Sequence, residues 1–334
     1  MSDWKIFHGD RKPHAGIQRL KNTAPPWRNF KKPAAEHRGS TYVATPTDKL
    51  MVNAALYLRR PLLVTGDPGV GKSSLAYAIA YELGLGDVLK WPINSRSTLT
   101  EGLYEYDAVA RLRDANLEGR SKGSKGRPSE EIHRYLTLKW LGTAFVDSEP
   151  RVVLFDEIDK ADVDLPNDLL HVLEDGYFSI PELVRIKDEH PEGVEVATGE
   201  LSSGETSTIV KEGRVQCQCF PIIVLTSNRE RELPAAFYRR CLRLNIDMEN
   251  EAEQRLKNIV EQHFKDEPWW TKADGQQRDE ALKDVLAKYL ANRRNGPVAN
   301  DQLLNTLYLI MQGQAPSPSE RTVLIDLLMR ELSR

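Results

Sequence analysis

The run GDPGVGKS at residues 66–73 constrains the fold of this chain more than any other segment. It follows an apolar stretch at 62–64 that predicts a buried strand, and it precedes a helical pattern over 74–83. A glycine-rich turn between a strand and a helix presents backbone N–H groups at a helix N-terminus, where a polyphosphate can bind without a counter-charge. The pattern therefore predicts a phosphate-binding loop, and a glycine-rich turn that matches by accident is the alternative.

Separate roles are predicted within this loop. Lys72 would reach the β- and γ-phosphates as a point charge, and the Ser73 hydroxyl would ligate Mg²⁺. The loop recognises phosphates and not a base, so it does not choose the nucleotide by itself. The residues expected to contact the nucleotide are Gly66, Asp67, Pro68, Gly69, Val70, Gly71, Lys72, Ser73 and Ser74.

The composition is typical of a globular protein and disfavours one class of partner. The chain has 334 residues, of which 40% are hydrophobic, enough for one large domain and a smaller one. A net charge of −3 and a pI near 6.2 make a nucleic-acid partner an unfavoured alternative. The first forty residues are locally basic, and we interpret them as a solvated arm in preference to a docking segment.

Other classes of protein are disfavoured by what the sequence contains. Three irregularly spaced cysteines, at 217, 219 and 241, suit neither a disulfide framework nor a zinc site. We find no signal peptide and no apolar run of transmembrane length. The expectation is a cytoplasmic protein without a membrane partner.

The order of apolar segments predicts an α/β fold. Continuous apolar runs at 152–155 and 222–225 are typical of strands buried on both faces of a parallel sheet, with a ligand at their carboxyl ends. We also predict a helix over 132–145 and a flexible polar loop over 121–128. After Asn250 only amphipathic helices follow. The predicted organisation is an N-terminal extension (1–41), a nucleotide-binding core (42–249) with a hairpin insert near 178–220, and a small all-helical lid (250–334).

Two acidic residues follow the predicted strand at 152–155. Asp156 is suited to hold Mg²⁺, and Glu157 is suited to polarise an attacking water. An acidic surface turn is the alternative, because the following residues are rich in aspartate. The order of the phosphate loop and this pair along the chain favours the catalytic interpretation.

Polar residues after the next apolar strand extend this candidate site. Asn228 could hydrogen-bond the γ-phosphate or the attacking water, or simply cap a turn. Arg239 or Arg240 could reach the nucleotide of an adjacent subunit and stabilise the charge of the transition state. A solvated basic turn is the alternative for either arginine.

Taken together, the motifs GDPGVGKS, VVLFDEIDKAD, LPNDLLHVLEDG, VLTSN and LPAAFYRRC resemble an AAA+ ATPase of the MoxR branch over roughly residues 42–330. The resemblance implies a P-loop NTPase core with a parallel sheet and a helical lid, and it implies ATP as the nucleotide. Asp156 and Glu157 match the Walker B pair, and Asn228 matches the sensor 1 position. Arg240 matches the arginine finger, with Arg239 beside it.

The resemblance also implies partners and one departure. It implies a ring, usually a hexamer, that remodels, assembles or activates a protein client, commonly one with a von Willebrand factor A domain. A nucleotide-gated scaffold in a bacterial defence module is the alternative function. The family often places an arginine in the lid after Ser-Pro, where this chain has Gly296-Pro297-Val298, so the candidates for that role are Arg293 and Arg294.

Overall fold

A computed structural model describes residues 4–20, 24–28, 34–118, 132–246, 252–293, 296, 298–311 and 316–329. The described residues form two compact units. The sheet unit comprises the described parts of 46–65 and 79–245, and the helical unit comprises the described parts of 1–45, 66–78 and 246–334. The predicted polar loop at 121–128, the predicted boundary at 249/250 and the candidate Arg294 lie outside the described residues.

Strands occur only in the sheet unit among the described residues. They are β1 (Leu62–Thr65), β2 (Leu89–Pro92), β3 (Tyr104–Tyr106), β4 (Leu136–Leu138), β5 (Val152–Asp156), β6 (Tyr177–Ser179), β7 (Val194–Ala197), β8 (Ser207–Val210), β9 (Arg214–Gln216), β10 (Ile222–Ser227) and β11 (Leu242–Asn245).

Helices occur in both units. They are α1 (Ala34–Ser40), α2 (Pro46–Leu58), α3 (Lys72–Leu83), α4 (Leu99–Leu103), α5 (Ala108–Glu118), α6 (Trp140–Val146), α7 (Asp164–Asp175), α8 (Pro181–Val184), α9 (Ala235–Arg240), α10 (Ala252–Phe264), α11 (Pro268–Thr271), α12 (Gly275–Arg293), α13 (Asn300–Met311) and α14 (Pro318–Leu328). Short 3₁₀ turns cover Gly16–Leu20, Pro26–Arg28, Ile132–Tyr135 and Ile158–Lys160.

The central sheet has the strand order β11-β1-β10-β5-β2, and every neighbouring pair is parallel. Its middle strands are the predicted apolar runs: Leu63 faces Leu225 across the β1–β10 pair, and Leu225 faces Phe155 across the β10–β5 pair. These three side chains are fully buried, as expected for strands covered on both faces. The predicted parallel α/β core is confirmed, and the carboxyl ends of β1, β10 and β5 lie at one edge of the sheet.

One predicted helix is wrong in its first half. Residues 132–138 form a 3₁₀ turn followed by β4, and only residues from Trp140 onward are α-helical. Strand β4 pairs antiparallel with β3 and parallel with β7, and β7 pairs antiparallel with β8, which gives a second, four-stranded sheet. Leu136 and Leu138 are buried on either side of the less buried Thr137, the period of two that a strand requires. The range predicted as a hairpin insert also contains β9, which pairs with β6.

The C-terminal run of amphipathic helices is confirmed. Helices α10, α12 and α13 bury one stripe each, whose largest members are Phe264, Tyr289 and Leu307. The N-terminal arm belongs to the same unit, where the Trp27 ring contacts the rings of Phe264 and Tyr308 at centroid distances of 5.9 and 6.1 Å. No helix in the described part of the chain combines the length and the apolar character needed to cross a bilayer.

Candidate functional site

The predicted phosphate loop lies in the helical unit and depends on glycine. Gly69 has φ +75°, and a Cβ there would lie 2.1 Å from the Cβ of Ala299. Gly66 has φ +153°, and a Cβ there would lie 2.7 Å from the carbonyl oxygen of Ile246. Backbone conformation and close approach both exclude a side chain at these positions. Asp67 and Pro68 are exposed in this loop, whereas Val70 is buried.

Lys72 begins helix α3 and is buried under the loop. Its Nζ donates hydrogen bonds to the carbonyl oxygens of Gly66 and Asp67, each at 2.8 Å. Ser73 and Ser74 follow in the first turn, partly exposed, where the helix N-terminus favours an anion. The loop therefore combines a buried ammonium group with the amide end of a helix.

Asn300, at the start of helix α13, donates hydrogen bonds to the phosphate loop, and sequence reasoning missed it. The backbone N–H of Asn300 donates to the Gly69 carbonyl at 3.0 Å, and its side-chain Nδ2 donates to the Val70 carbonyl at 3.4 Å. The Tyr289 hydroxyl donates to Asn300 Oδ1 at 2.8 Å. A polar residue at the first position of a helix after an apolar pair was the available signal, but it is indistinguishable from an ordinary cap.

Arg293 is the one lid-arginine candidate among the described residues. Its Nη1 donates to the Tyr289 hydroxyl at 3.2 Å, and its Nη2 lies 3.9 Å from Asp67 Oδ2. The structure thus brings Arg293 to the phosphate loop within the helical unit. Arg293 is therefore paired with the carboxylate of Asp67 in the loop.

The predicted acidic pair lies in the sheet unit, at the carboxyl end of β5. Glu157 has the left-handed backbone φ 64°, ψ 51°, which is uncommon for a residue with a side chain. Such conformations cost roughly 1–3 kcal/mol and cluster at functional sites. The Thr226 hydroxyl links the pair, because it accepts the Glu157 N–H at 2.9 Å and donates to Asp156 Oδ1 at 2.8 Å.

The structure brings Glu157 and Asn228 together. Asn228 Nδ2 donates to Glu157 Oε1 at 3.2 Å, while Lys160 Nζ lies 2.8 Å from Glu157 Oε2. The hydrogen bond to Glu157 raises the pKa of Lys160 from its ordinary value. Both carboxylate oxygens of Glu157 are therefore oriented by neighbouring donors.

Asp159 positions the backbone that carries Asn228. It is 1% exposed, and its Oδ2 accepts the backbone N–H groups of Asn228 and Glu230 at 3.0 and 2.9 Å. Sequence reasoning assigned no role to Asp159, because an aspartate in an acidic segment gives no sign of burial. Thr226 was likewise missed, although a hydroxyl at the end of an otherwise apolar strand was a usable signal.

The donor chemistry of Asp156 fits the metal-binding role predicted for it. Its carboxylate is mostly buried, and Lys90 Nζ lies 2.6 Å from Oδ2, so a positive charge already contacts the carboxylate predicted to hold a cation. Carboxylate oxygens suit Mg²⁺, which is usually held by one or two carboxylates together with phosphate oxygens. Within the described residues, no cluster of three or more His, Cys, Asp or Glu side chains could hold a metal ion.

The two predicted arginines end helix α9. Arg240 Nε forms an ion pair with Glu174 Oε1 at 2.5 Å, whereas the Arg239 side chain is exposed and has no partner among the described residues. The Arg60 guanidinium donates to the backbone carbonyls of both, which holds the end of the helix against the start of β1. Among the residues that the structure describes, the Arg240 side chain is thus ion-paired and the Arg239 side chain is not.

A five-stranded parallel sheet, a phosphate loop that directly follows β1, and a carboxylate pair at the end of β5 define a P-loop nucleoside-triphosphatase fold. The sequence profile described as "AAA domain (dynein-related subfamily)" matches residues 61–241, more than half of the chain. The chain therefore belongs to the dynein-related subfamily of AAA ATPases. MoxR-like ATPases belong to this subfamily, but the narrower MoxR assignment stays a prediction.

Among solved structures, the chain is similar to NtrX from Brucella abortus. The complex with ATP shares 14% identity at a TM-score of 0.43, covering 82% of this chain and 53% of NtrX. The complex with ADP shares 13% identity at a TM-score of 0.42, covering 85% and 55%. The chain thus spans about half the length of NtrX. No curated protein matches the chain.

Proposed function

We propose that this chain binds ATP with Mg²⁺ and hydrolyses it to ADP and phosphate, as a MoxR-like member of its subfamily. The observation that carries the proposal is the arrangement of Glu157, whose strained backbone and both carboxylate oxygens are held in one orientation. An acidic surface turn would not need this support. Membership of the AAA family supports ATP as the nucleotide.

The loop residues would bind the phosphates in this proposal. The amides of residues 66–74 and the Lys72 ammonium group would take the triphosphate, with Lys72 exchanging its carbonyl partners for phosphate oxygens. Ser73 and Asp156 would hold Mg²⁺. When bound, the cation neutralises the charge that develops on the phosphate oxygens.

Glu157 would act as the general base in this proposal. Its Oε1 would accept a hydrogen bond from the attacking water and orient it toward the γ-phosphate. The Asn228 amide would hold that carboxylate and, as a donor, would stabilise negative charge on the transferred group. Lys160, whose Nζ lies 2.8 Å from Oε2, would hold the other oxygen of that carboxylate in place.

A Glu157→Gln variant tests the hydrolytic role. We expect it to bind ATP as the wild type does and to lose turnover by about a hundredfold or more, because an amide cannot accept the proton. Phosphate release and equilibrium ATP binding would be measured side by side. Glu189→Gln, an exposed glutamate in the sheet unit, is the matched control and should be unaffected. Wild-type turnover in Glu157→Gln would refute the assignment.

We further propose a ring, a hexamer as is usual in the family, in which an arginine of α9 completes the neighbour's site. The exposure of the Arg239 guanidinium supports a role outside its own chain, and Arg240 is the position that matches the family finger. Arg239→Ala and Arg240→Ala should differ in turnover. The variant that removes the arginine finger should lose turnover while it binds ATP normally.

Subunit mixing tests whether the site is shared. Lys72→Ala lacks the phosphate-binding cation but keeps its arginine, whereas an α9 arginine variant keeps its phosphate loop. Each should be inactive alone, and mixed rings should recover turnover at interfaces that combine the intact loop with the intact arginine. No recovery, in mixtures shown to co-assemble, would argue that each chain works alone.

The final part of the proposal is a protein client, with a von Willebrand factor A domain protein as the partner class. The subfamily assignment supports it. The Glu157→Gln variant should retain such a protein in ATP and release it in ADP, and the client should stimulate wild-type turnover. A client that binds equally in both nucleotides, with no effect on turnover, would contradict remodelling.

A further inference from the structure

A single residue, Asn300, donates hydrogen bonds to two backbone carbonyl groups of the phosphate loop. Asn300 donates from its backbone to Gly69 O at 3.0 Å and from Nδ2 to Val70 O at 3.4 Å, and it is 9% exposed. Both bonds lie within the helical unit, and both replace water as the partner of a loop carbonyl.

The peptide plane carries this constraint to the other side of the loop. In a trans peptide the C=O of one residue and the N–H of the next are rigidly coplanar and point in opposite directions. Holding the Gly69 and Val70 carbonyls therefore aims the N–H groups of Val70 and Gly71 away from Asn300. These are two of the amides that the proposed function assigns to phosphate binding.

The orientation of the Asn300 side chain is itself fixed. The Tyr289 hydroxyl lies 2.8 Å from Asn300 Oδ1 and 3.0 Å from the Val298 carbonyl, and the Tyr289 ring is fully buried. The Val70 carbonyl can only accept, so the nitrogen end of the Asn300 amide must face it, and the oxygen end then faces the Tyr289 hydroxyl. Burial raises the pKa of Tyr289, so its hydroxyl stays protonated and available as a donor.

We propose that Asn300, oriented by Tyr289, is a positioning residue that pre-sets the Val70 and Gly71 amides for the phosphates of the nucleotide. The inference rests on the proposed function, because it concerns the same loop. It assigns the coupling of helix α13 to the phosphate loop to an asparagine that holds the loop backbone. The ligand class is a di- or triphosphate, and the nucleoside is not involved.

Asn300→Ala tests the proposal, because it removes the bond to Val70 O and keeps the backbone bond to Gly69 O. Losing one buried hydrogen bond that orients the loop should weaken binding by about five- to tenfold. The affinities for ATP, ADP and inorganic pyrophosphate should fall by a similar factor. A residue that contacted the base would change the affinities for ATP and ADP and leave that for pyrophosphate unchanged. Turnover at saturating ATP should stay within about threefold of the wild type, so the effect falls on KM and not on kcat.

Tyr289→Phe is the second variant and keeps the proposal testable if Asn300→Ala folds poorly. It leaves Asn300 in place and removes the hydroxyl that orients it and that accepts from Arg293, so a smaller loss of affinity in the same direction is expected. Asn258→Ala, an exposed asparagine on α10, is the matched control. Thermal unfolding without nucleotide would be recorded for all four proteins.

The outcomes separate the two proposals. Wild-type affinity for all three phosphate ligands in both Asn300→Ala and Tyr289→Phe would overturn the role of Asn300 and leave ATP hydrolysis intact. A loss of kcat with unchanged affinity would also overturn it. A wild-type protein that binds none of the three ligands would overturn the proposed function and this inference together.

Discussion

At the scale of single residues, the carboxylate of Asp156 is shared between a hydroxyl and an ammonium group. Thr226 donates to Oδ1 at 2.8 Å, and Lys90 Nζ lies 2.6 Å from Oδ2. If Mg²⁺ binds through Asp156, Lys90 competes with it, because two cations at one carboxylate oxygen repel each other. The proposed Mg²⁺ requirement would then depend on Lys90 as well as on Asp156.

Lys90→Met should therefore lower the Mg²⁺ concentration that gives half-maximal turnover. Methionine keeps most of the apolar stem and removes the competing charge. Mg²⁺ titrations of turnover, and of ATP binding by calorimetry, would measure the shift. Lys139→Met, which breaks a comparable ion pair with Glu105, should leave the titration unchanged. A raised Mg²⁺ requirement would mean that Lys90 supports the metal site.

Thr226→Val tests the link between the two acidic residues. Valine keeps the shape of the buried side chain but leaves the Glu157 N–H without its acceptor, at a cost of about 1–3 kcal/mol in the free energy of unfolding. Because Glu157 then loses support for its left-handed backbone, turnover should fall more than ATP affinity does. Urea denaturation and steady-state kinetics would measure the two effects, and unchanged kinetics would show that Thr226 has only a structural role.

At the scale of secondary-structure elements, the segment 132–146 shows how a local pattern can be ambiguous. Its buried residues Ile132, Leu136, Leu141 and Phe145 fit a helical period, and this spacing predicted one helix. Pairing with β3 makes residues 136–138 a strand instead. The deciding contacts come from residues about thirty positions earlier in the chain, which no local period reveals.

Helix α6 depends on a glycine for its approach to α4. A Cβ at Gly142 would lie 2.1 Å from the Leu103 carbonyl oxygen, which is backbone and cannot move aside cheaply. Gly142→Ala should therefore lower the free energy of unfolding by about 1–3 kcal/mol, the usual cost of overpacking, although alanine favours a helix. Urea denaturation would measure it. Gly275→Ala, at a helical glycine with open space around it, is the control and should be neutral or slightly stabilising.

At the scale of the whole molecule, stability should fall on mild acidification. Burial, and to a smaller extent the neighbouring His37, whose ring lies edge-on at 5.6 Å, lower the pKa of His263 to about 4. The unfolded chain has a histidine pKa of about 6.5. Between these values the unfolded state binds more protons, so stability is complete above pH 6.5 and is lost as the pH falls toward 4.

His263→Gln should remove most of this pH dependence. Between pH 7 and pH 4.5 the wild type should lose about 1–2 kcal/mol in the free energy of unfolding through this group. This is less than the full pKa shift would give, because the imidazole is partly accessible to solvent. Denaturation curves at several pH values would measure it. His171→Gln, an exposed histidine on α7, is the control and should keep the wild-type slope. Equal slopes in all three proteins would place the acid sensitivity elsewhere.

The sequence by itself determined the parallel α/β core and the C-terminal helices, and it located the glycine-rich loop before α3 and the candidate residues Asp156, Glu157 and Asn228 after strands. Each follows from a pattern of neighbouring residues: an apolar run, a helical period, or glycines at fixed spacing before a lysine. Only the tertiary structure decided that β4 is a strand, that Lys90 and Thr226 share Asp156, and that Asn300 supports the loop. These features are contacts between residues far apart in the chain, and the energy of such contacts is set by burial and geometry that local sequence does not contain.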